Sequence, residues 1–153
     1  MKIRRAAIED SDELTQLAHE SKSHWGYPER WIELWRDDLT LDPELIAGNE
    51  YYLAEDDGQV LGCFGLIPGD PFWVLEDFWV RPAAMGRGVG RALFEHARKV
   101  AAEAGATVVE IDADPNAEPF YLRMGARRVG EVRTEVDGQP RIRPLLHLEV
   151  SAV

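Results

Sequence analysis

Residues 72–104 read FWVLEDFWVRPAAMGRGVGRALFEHARKVAAEA. The stretch begins as a predicted strand, turns at glycines 86, 88 and 90, and continues as the clearest helical pattern in the chain. The first N–H groups of a helix lack partners within it, and the helix dipole makes that end attractive to anions. Because glycine has no Cβ, a phosphate can approach the main chain there. The stretch therefore predicts an anion site, to which Arg87 and Arg91 add positive charge.

The glycine turn has three interpretations: a flexible connection, a dinucleotide site and a coenzyme A site. A dinucleotide site requires Gly-x-Gly-x-x-Gly, followed about twenty residues later by an acidic residue. Asp112 lies near that distance, but the third glycine would fall at position 91, which is Arg91. The turn also follows three predicted strands rather than one, which disfavours the dinucleotide interpretation.

The rest of the chain alternates short helix and strand patterns around this stretch. Helices are predicted over 11–22, 29–37, 43–48, 89–104 and 114–125, and strands over 2–7, 51–55, 60–67, 72–80, 107–113, 127–134 and 144–150. The order β-α-α-β-β-β-α-β-α-β-β predicts an α/β fold, with a mixed sheet flanked by helices. We interpret residues 1–153 as one domain, because this length suits a single core.

The composition is typical of a soluble globular protein. No apolar run approaches the roughly 20 residues of a membrane span, and the N-terminus lacks the apolar stretch of a signal peptide, so we expect a cytoplasmic protein without membrane partners. The net charge of −11 disfavours nucleic-acid binding and favours a cationic partner. The single cysteine, Cys63, excludes an intramolecular disulfide, and the scattered histidines indicate no metal site.

Two motifs resemble those of the GCN5-related N-acetyltransferase (GNAT) family. Residues 75–82 followed by 85–90 (MGRGVG) are similar to its motif A, usually written Gln/Arg-x-x-Gly-x-Gly/Ala, with Met85 departing at the Gln/Arg position. Residues 114–121 (DPNAEPFY) are similar to its Asn-x-x-Ala-x-x-Phe-Tyr, with Asp114 at the Asn position. The resemblance covers nearly the whole chain and implies a GNAT-like acyl-coenzyme A N-acyltransferase fold, with acetyl-coenzyme A as co-substrate.

In the family, coenzyme A inserts between two splayed strands. The resemblance implies that it is held by Phe78, Trp79, Val80, Met85, Gly86, Arg87, Gly88, Val89, Gly90, Arg91, Asp114 and Asn116. Tyr121 matches the family tyrosine near the cofactor sulfur and is the expected acid for the leaving thiol. A phenol of pKa about 10 can protonate a thiolate whose conjugate thiol has a pKa of about 8.5. The alternative for Tyr121 is packing beside Phe120.

Two carboxylates, Glu76 and Asp77, interrupt an otherwise apolar strand. Successive strand residues face opposite sides, so one carboxylate should face each side of the sheet. A buried carboxylate needs water, a partner or a task. Glu76 is the preferred base, and Asp77 is the second choice and a candidate substrate contact. Both could instead be ordinary ion-paired residues, and a bulge would change which side chain points inward.

The loop between the first two helices supplies the candidate acceptor pocket. His24, Trp25 and Tyr27 lie where the family binds its acceptor, and with Asp77 they would suit a cationic amine through charge and cation–π contacts. The aromatic residues could instead be packing residues. Arg141 and Arg143, which follow a turn at 137–138, are expected on a solvated hairpin.

These observations lead to one functional hypothesis and two alternatives. The hypothesis is direct transfer, in a ternary complex, of acetyl from acetyl-coenzyme A to a primary amine, with a small cationic amine favoured as acceptor. A non-catalytic acyl-coenzyme A or amine-binding module on the same fold is the first alternative, and a nicotinamide-dependent enzyme is the second. A homodimer through a sheet edge or the C-terminal strand is left open.

Overall fold

A computed structural model describes residues 1–150 of the chain. Seven strands form one mixed sheet: β1 (Lys2–Arg5), β2 (Glu50–Asp56), β3 (Gln59–Ile67), β4 (Trp73–Val80), β5 (Val108–Asp112), β6 (Arg127–Val136) and β7 (Gln139–Glu149). Their spatial order is β1-β2-β3-β4-β5-β7-β6, and every neighbouring pair is antiparallel except β4 and β5. The predicted mixed sheet is confirmed.

Five helices cover the two faces of the sheet: α1 (Ser11–Ser23), α2 (Glu29–Leu34), α3 (Pro43–Gly48), α4 (Val89–Glu103) and α5 (Glu118–Arg123). One core cluster packs α4 and α5 against the sheet, and the other packs α1 and α3 against the opposite face. Alternation along β2 serves both, because Tyr51 and Leu53 join the second cluster whereas Ala54 joins the first. No helix in the described range 1–150 is long and apolar enough to cross a membrane.

The predicted order of elements is confirmed, but several boundaries differ. β1 ends at Arg5 rather than at residue 7, and α5 spans Glu118–Arg123 rather than 114–125. α2 ends at Leu34 rather than at residue 37. The last strand begins at Gln139 rather than at residue 144, because β6 and β7 pair continuously up to the turn at 137–138. Arg141 and Arg143 therefore lie within a strand. The predicted solvated hairpin is wrong for Arg141, which is only 8% exposed.

Gly65 is required by packing between β2 and β3. A Cβ at this position would overlap the ring of Tyr51, which is fully buried beneath it. We expect Gly65→Ala to lower the free energy of unfolding by about 1–3 kcal/mol through overpacking. Gly48→Ala is the control, because a Cβ there meets no protein atom within 4 Å. Urea unfolding of both variants checks this, and equal stabilities would contradict it.

Candidate active site

A cleft opens where β4 and β5 separate. The two parallel strands pair only at Trp73 with Val109 and at Val74 with Glu110, although β4 continues to Val80. Beyond that pairing the strands enclose a cleft of about 980 Å³. Its lining comes from β4, the glycine turn, the end of β5, the segment leading into α5, and the end of α1. The unpaired main chain of β4 thus becomes one wall of a site.

A β-bulge in β4 shapes this wall. Gly65 pairs with Glu76 and Cys63 pairs with Trp79, so one residue of β3 lies opposite both Asp77 and Phe78. Asp77 has a φ of 50°, in the left-handed region that residues with a Cβ rarely adopt. The bulge breaks the alternation expected from the sequence. Asp77 consequently turns toward Tyr51, whose hydroxyl donates to Asp77 Oδ2 at 2.6 Å.

The glycine turn forms the end of the cleft. Gly86 and Gly88 have φ values of 78° and 81°, and Gly88 directly precedes the first residue of α4. A Cβ at either glycine would meet no protein atom within 4 Å, so both present open main chain. Gly90 instead packs near Phe120, since a Cβ there would lie 3.4 Å from that ring. The main chain at the start of α4 is therefore open, which is compatible with the predicted anion site.

Not every predicted residue of the turn reaches the cleft. The lining includes Met85, Gly86, Gly88, Gly90 and Arg91. Val89 does not line the cleft, because its side chain is buried in the first core cluster. Arg87 is exposed outside the lining. Phe78, Trp79 and Val80 of β4 all line the cleft. Asp114 and Asn116, which precede α5, line it as well.

Tyr121 lies on α5 and lines the cleft opposite β4. Its ring packs edge-on against Phe78 and Phe120, with centroid distances of 5.9 and 5.5 Å. Burial, together with the charge of Asp114, raises the pKa of the Tyr121 phenol. The hydroxyl therefore stays protonated at neutral pH. Both the packing role and the acid role foreseen for this residue are compatible with its position.

The two carboxylates of β4 have different surroundings. Glu76 is exposed and lines the cleft, and its pKa is raised by partial burial and by the facing Asp112. Asp77 is more enclosed, and burial raises its pKa to about 6, an effect that Glu76 reinforces and the Tyr51 hydrogen bond opposes. Glu76 is thus the carboxylate that is free to meet a bound molecule.

Because the pKa of Asp77 is raised, we expect the contribution of this residue to stability to depend on pH. A carboxyl whose pKa is higher in the folded state than the ordinary 3.8 favours folding only while it is neutral, and this benefit is lost as the pH rises through about 6. Between pH 4 and pH 8 we expect Asp77→Asn to gain up to about 3 kcal/mol of stability relative to wild type. Urea unfolding at pH 4, 6 and 8 measures this gain. Asp38→Asn is the exposed control, and a pH-independent difference for Asp77→Asn would contradict the prediction.

A buried polar network closes the cleft beside Asp114. Lys22 Nζ lies 2.5 Å from Asp114 Oδ2, and the Tyr27 hydroxyl and Arg141 also contact this carboxylate. Burial acts to raise the pKa of Asp114, but the Lys22 ammonium and the hydrogen bonds outweigh it and hold the pKa below its ordinary value. The Asn116 amide donates to Tyr27 and to Asp114, both at 3.0 Å. The network therefore already uses the polar groups of Asp114 and Asn116.

The aromatic loop is arranged differently from the prediction. Trp25 and Asp77 line the cleft, whereas His24 and Tyr27 do not. The protein's own cations occupy the ring of Tyr27: Lys22 Nζ lies 5.1 Å from its centroid and the Arg141 guanidinium carbon 5.0 Å. Tyr27 consequently cannot offer that ring to a cationic ligand. The packing interpretation of the aromatic residues holds for Tyr27.

Sequence reasoning missed several charged residues of the cleft: Lys22, Asp38, Asp112, Arg123 and Arg143. Lys22 could have been found, because it continues the spacing of Leu14, Leu17, Ala18 and Ser21 on the buried side of α1. A lysine at a buried helical position needs a partner. Asp112 and Arg143 form an ion pair at 2.7 Å across neighbouring strands, which requires the β5–β7 pairing to be known.

Comparison with known proteins assigns the chain to a family. A family model described as the acetyltransferase (GNAT) family matches residues 11–126, which include the splayed strands, the glycine turn and Tyr121. The chain belongs to the GNAT acetyltransferase family. The resemblance drawn from the two sequence motifs is thereby confirmed.

Individual relatives of this GNAT chain agree with that assignment. It is 30% identical over 98 residues to the peptidyl-lysine N-acetyltransferase YiaC of Escherichia coli (strain K12), a match covering 63% of this chain and 64% of that protein. The crystal structure of a GCN5-related N-acetyltransferase from Rhodopseudomonas palustris superposes with a TM-score of 0.82 at 21% identity, covering 97% and 95% of the two chains. The PaiA N-acetyltransferase of Thermoplasma acidophilum, solved in complex with coenzyme A, gives 0.77 at 20% identity, covering 97% and 98%.

Proposed function

We propose that this GNAT chain transfers the acetyl group of acetyl-coenzyme A to a primary amine, and that the acceptor is a small cationic amine. The observation that carries the proposal is the cleft between β4 and β5, which joins an open helix start at one end to Tyr121 and Glu76 further along. The structural relative from T. acidophilum, which contains coenzyme A, has the same fold and supports this choice of donor.

The residues of the cleft suit the parts of coenzyme A. The open main chain at Gly86 and Gly88, the N-terminus of α4 and Arg91 would receive the pyrophosphate. The main chain of residues 78–80 would hydrogen-bond the pantetheine arm. When bound, acetyl-coenzyme A supplies an activated acetyl group as a thioester. The protein then has to orient the amine and to supply the proton transfers.

Two side chains are proposed for the proton transfers. Glu76, acting through water, would accept the proton that the acceptor ammonium must lose before it can attack. Its raised pKa brings it closer to the operating pH than an ordinary carboxylate. Tyr121 would give a proton to the departing thiolate, because its raised pKa keeps the hydroxyl protonated at neutral pH. The two groups would therefore serve the two proton transfers that the reaction needs.

The preference for a cationic acceptor comes from unpaired acidic residues. Asp112 and Asp114 are neutralised by Arg143 and Lys22. Asp38 and Glu76 also line the cleft, and neither forms an ion pair with any of residues 1–150. Asp38 interacts with Arg143 only at longer range than an ion pair. Two carboxylates without a direct ion pair favour an amine that carries a second positive charge, and the net charge of −11 favours its approach.

A panel of acceptors tests this proposal. The protein is incubated with acetyl-coenzyme A and, separately, with a neutral-tailed monoamine, a diamine of equal length, an amino acid and a lysine-containing peptide, and acetylated products are identified by mass spectrometry. We expect the diamine to have a KM about tenfold below that of the monoamine, and Asp38→Asn to remove much of this difference. Equal KM values would contradict the cationic acceptor. Acetyl-coenzyme A binding without any product would favour a non-catalytic module.

A further inference from the structure

Tyr51 lies behind the cleft, on the side of β4 that faces α1. It is fully buried on β2, and its ring fills the space left by Gly65 on the neighbouring strand. Its hydroxyl reaches across β3 and donates to Asp77 Oδ2 at 2.6 Å. Tyr51 does not line the cleft and takes no part in the proton transfers proposed above. The contact with Asp77 therefore needs a separate explanation.

Asp77 is the residue on which the β4 bulge depends. Its φ of 50° is unfavourable for any residue with a Cβ, so the conformation has to be held by surrounding contacts. Two hydrogen bonds hold it: Tyr51 binds its carboxylate, and the Cys63 thiol donates to its carbonyl oxygen at 3.3 Å. Tyr51 lies on β2 and Cys63 on β3, the strands on the side of β4 away from the cleft. They fix the side chain and the main chain of one residue from the same side.

The bulge in turn determines how the next residues face the cleft. Residues 78–80 follow it directly and form the wall on which the pantetheine arm is proposed to lie. Phe78 packs with Tyr121 and with Phe94 of α4, at centroid distances of 5.9 and 6.2 Å. A shift of the bulge would therefore displace both the cofactor wall and the packing around Tyr121.

We propose that Tyr51 is a positioning residue, which holds Asp77 in the bulge and so keeps residues 78–80 aligned for coenzyme A, leaving Glu76 as the carboxylate that serves the acceptor. This inference rests on the proposed function, because it assumes that coenzyme A lies along residues 78–80. It also separates the two neighbouring carboxylates: Asp77 acts on the main chain and Glu76 on the amine.

Two variants separate this role from a catalytic role of Asp77. Tyr51→Phe keeps the ring beside Gly65 and removes only the donor hydroxyl. Asp77→Asn keeps an oxygen that can accept from Tyr51, and asparagine tolerates the left-handed conformation. We expect Tyr51→Phe to weaken coenzyme A binding about tenfold and Asp77→Asn to change it less than about threefold. Tyr52→Phe is the matched control on the same strand, because Tyr52 faces away from Asp77 toward the other core cluster.

The pH dependence of kcat provides a readout that a merely structural role would not change. The groups around Asp77 are Tyr51, Glu76, Cys63 and the indole of Trp79. Tyr51 and Cys63 both have raised pKa values and stay protonated, and the indole does not titrate, so Glu76 is the neighbour that ionises. We expect the acid limb of the profile to persist in Asp77→Asn and to disappear in Glu76→Gln.

Two results for the variants would overturn the proposal. Wild-type coenzyme A affinity and wild-type kcat in Tyr51→Phe would remove the positioning role. An inactive Asp77→Asn with intact coenzyme A binding would make Asp77 the base.

If wild type binds coenzyme A but acetylates no amine, the proposed function fails, whereas the affinity of Tyr51→Phe still decides the inference. If wild type does not bind coenzyme A, amide hydrogen exchange of residues 78–80 decides it: faster exchange in Tyr51→Phe supports it, and unchanged exchange rejects it.

Discussion

We expect Tyr121→Phe to lower kcat for the proposed acetyl transfer by about 10²-fold or more, which is the usual loss when a general acid is removed. The substitution deletes one hydroxyl and keeps the ring that packs against Phe78 and Phe120. The fold and the affinity for coenzyme A should therefore remain close to those of wild type. Initial rates of thiol release at saturating donor and amine measure the effect.

A control variant and an altered donor test this prediction further. Tyr52→Phe is the control, because its hydroxyl lies 3.4 Å from Glu50 and outside the cleft. A donor thioester with a more acidic thiol needs less protonation on departure, so it should recover part of the lost rate. Unchanged turnover in Tyr121→Phe would reject the acid role and leave Tyr121 as a packing residue.

The second large effect is expected for Gly88→Ala, which should lose about tenfold or more of its coenzyme A affinity. A Cβ at this position meets no protein atom and projects from the residue that precedes α4, where the anion cradle is open. It would occupy space needed by a phosphate and disturb the N–H groups of the first helical turn. Calorimetric titration with coenzyme A measures the change.

A glycine just beyond the other end of α4 separates this effect from backbone strain. Gly105 follows the C-terminal end of α4 with a φ of 90°, and a Cβ there also meets no protein atom within 4 Å. Alanine at either position pays a similar cost of about 1–2 kcal/mol for the left-handed conformation. Gly105→Ala should therefore lose comparable stability and keep its affinity. Equal affinities in the two variants would contradict the cradle.

The fold was predictable because its signals are local. The periodicity of residues 89–104 and the glycine at 105 define α4, and the turn residues at 56–58 and 137–138 define two hairpins. The glycine turn and the Phe120-Tyr121 motif then identify the family. The boundary of β7 was missed because Arg141 and Arg143 interrupt the apolar pattern, and only the long-range pairs with Asp114 and Asp112 explain them.

The details of the site depend on contacts that sequence spacing does not encode. The bulge at Asp77 breaks the strict alternation expected of a strand, and it depends on Tyr51 and Cys63 from other strands. The ring of Tyr27 was expected to contact a cationic amine, yet Lys22 and Arg141 reach it from separate elements. Both outcomes result from residues distant in sequence that occupy one small volume.

Calorimetric titration of the wild-type protein with acetyl-coenzyme A tests the central claim, that the cleft between β4 and β5 binds this donor. A parallel titration with a nicotinamide dinucleotide controls for general affinity of the glycine turn for pyrophosphate. We expect saturable binding of acetyl-coenzyme A at one site per chain and no saturable binding of the dinucleotide. A folded protein that shows no heat with acetyl-coenzyme A, or that binds the dinucleotide more tightly, would contradict it.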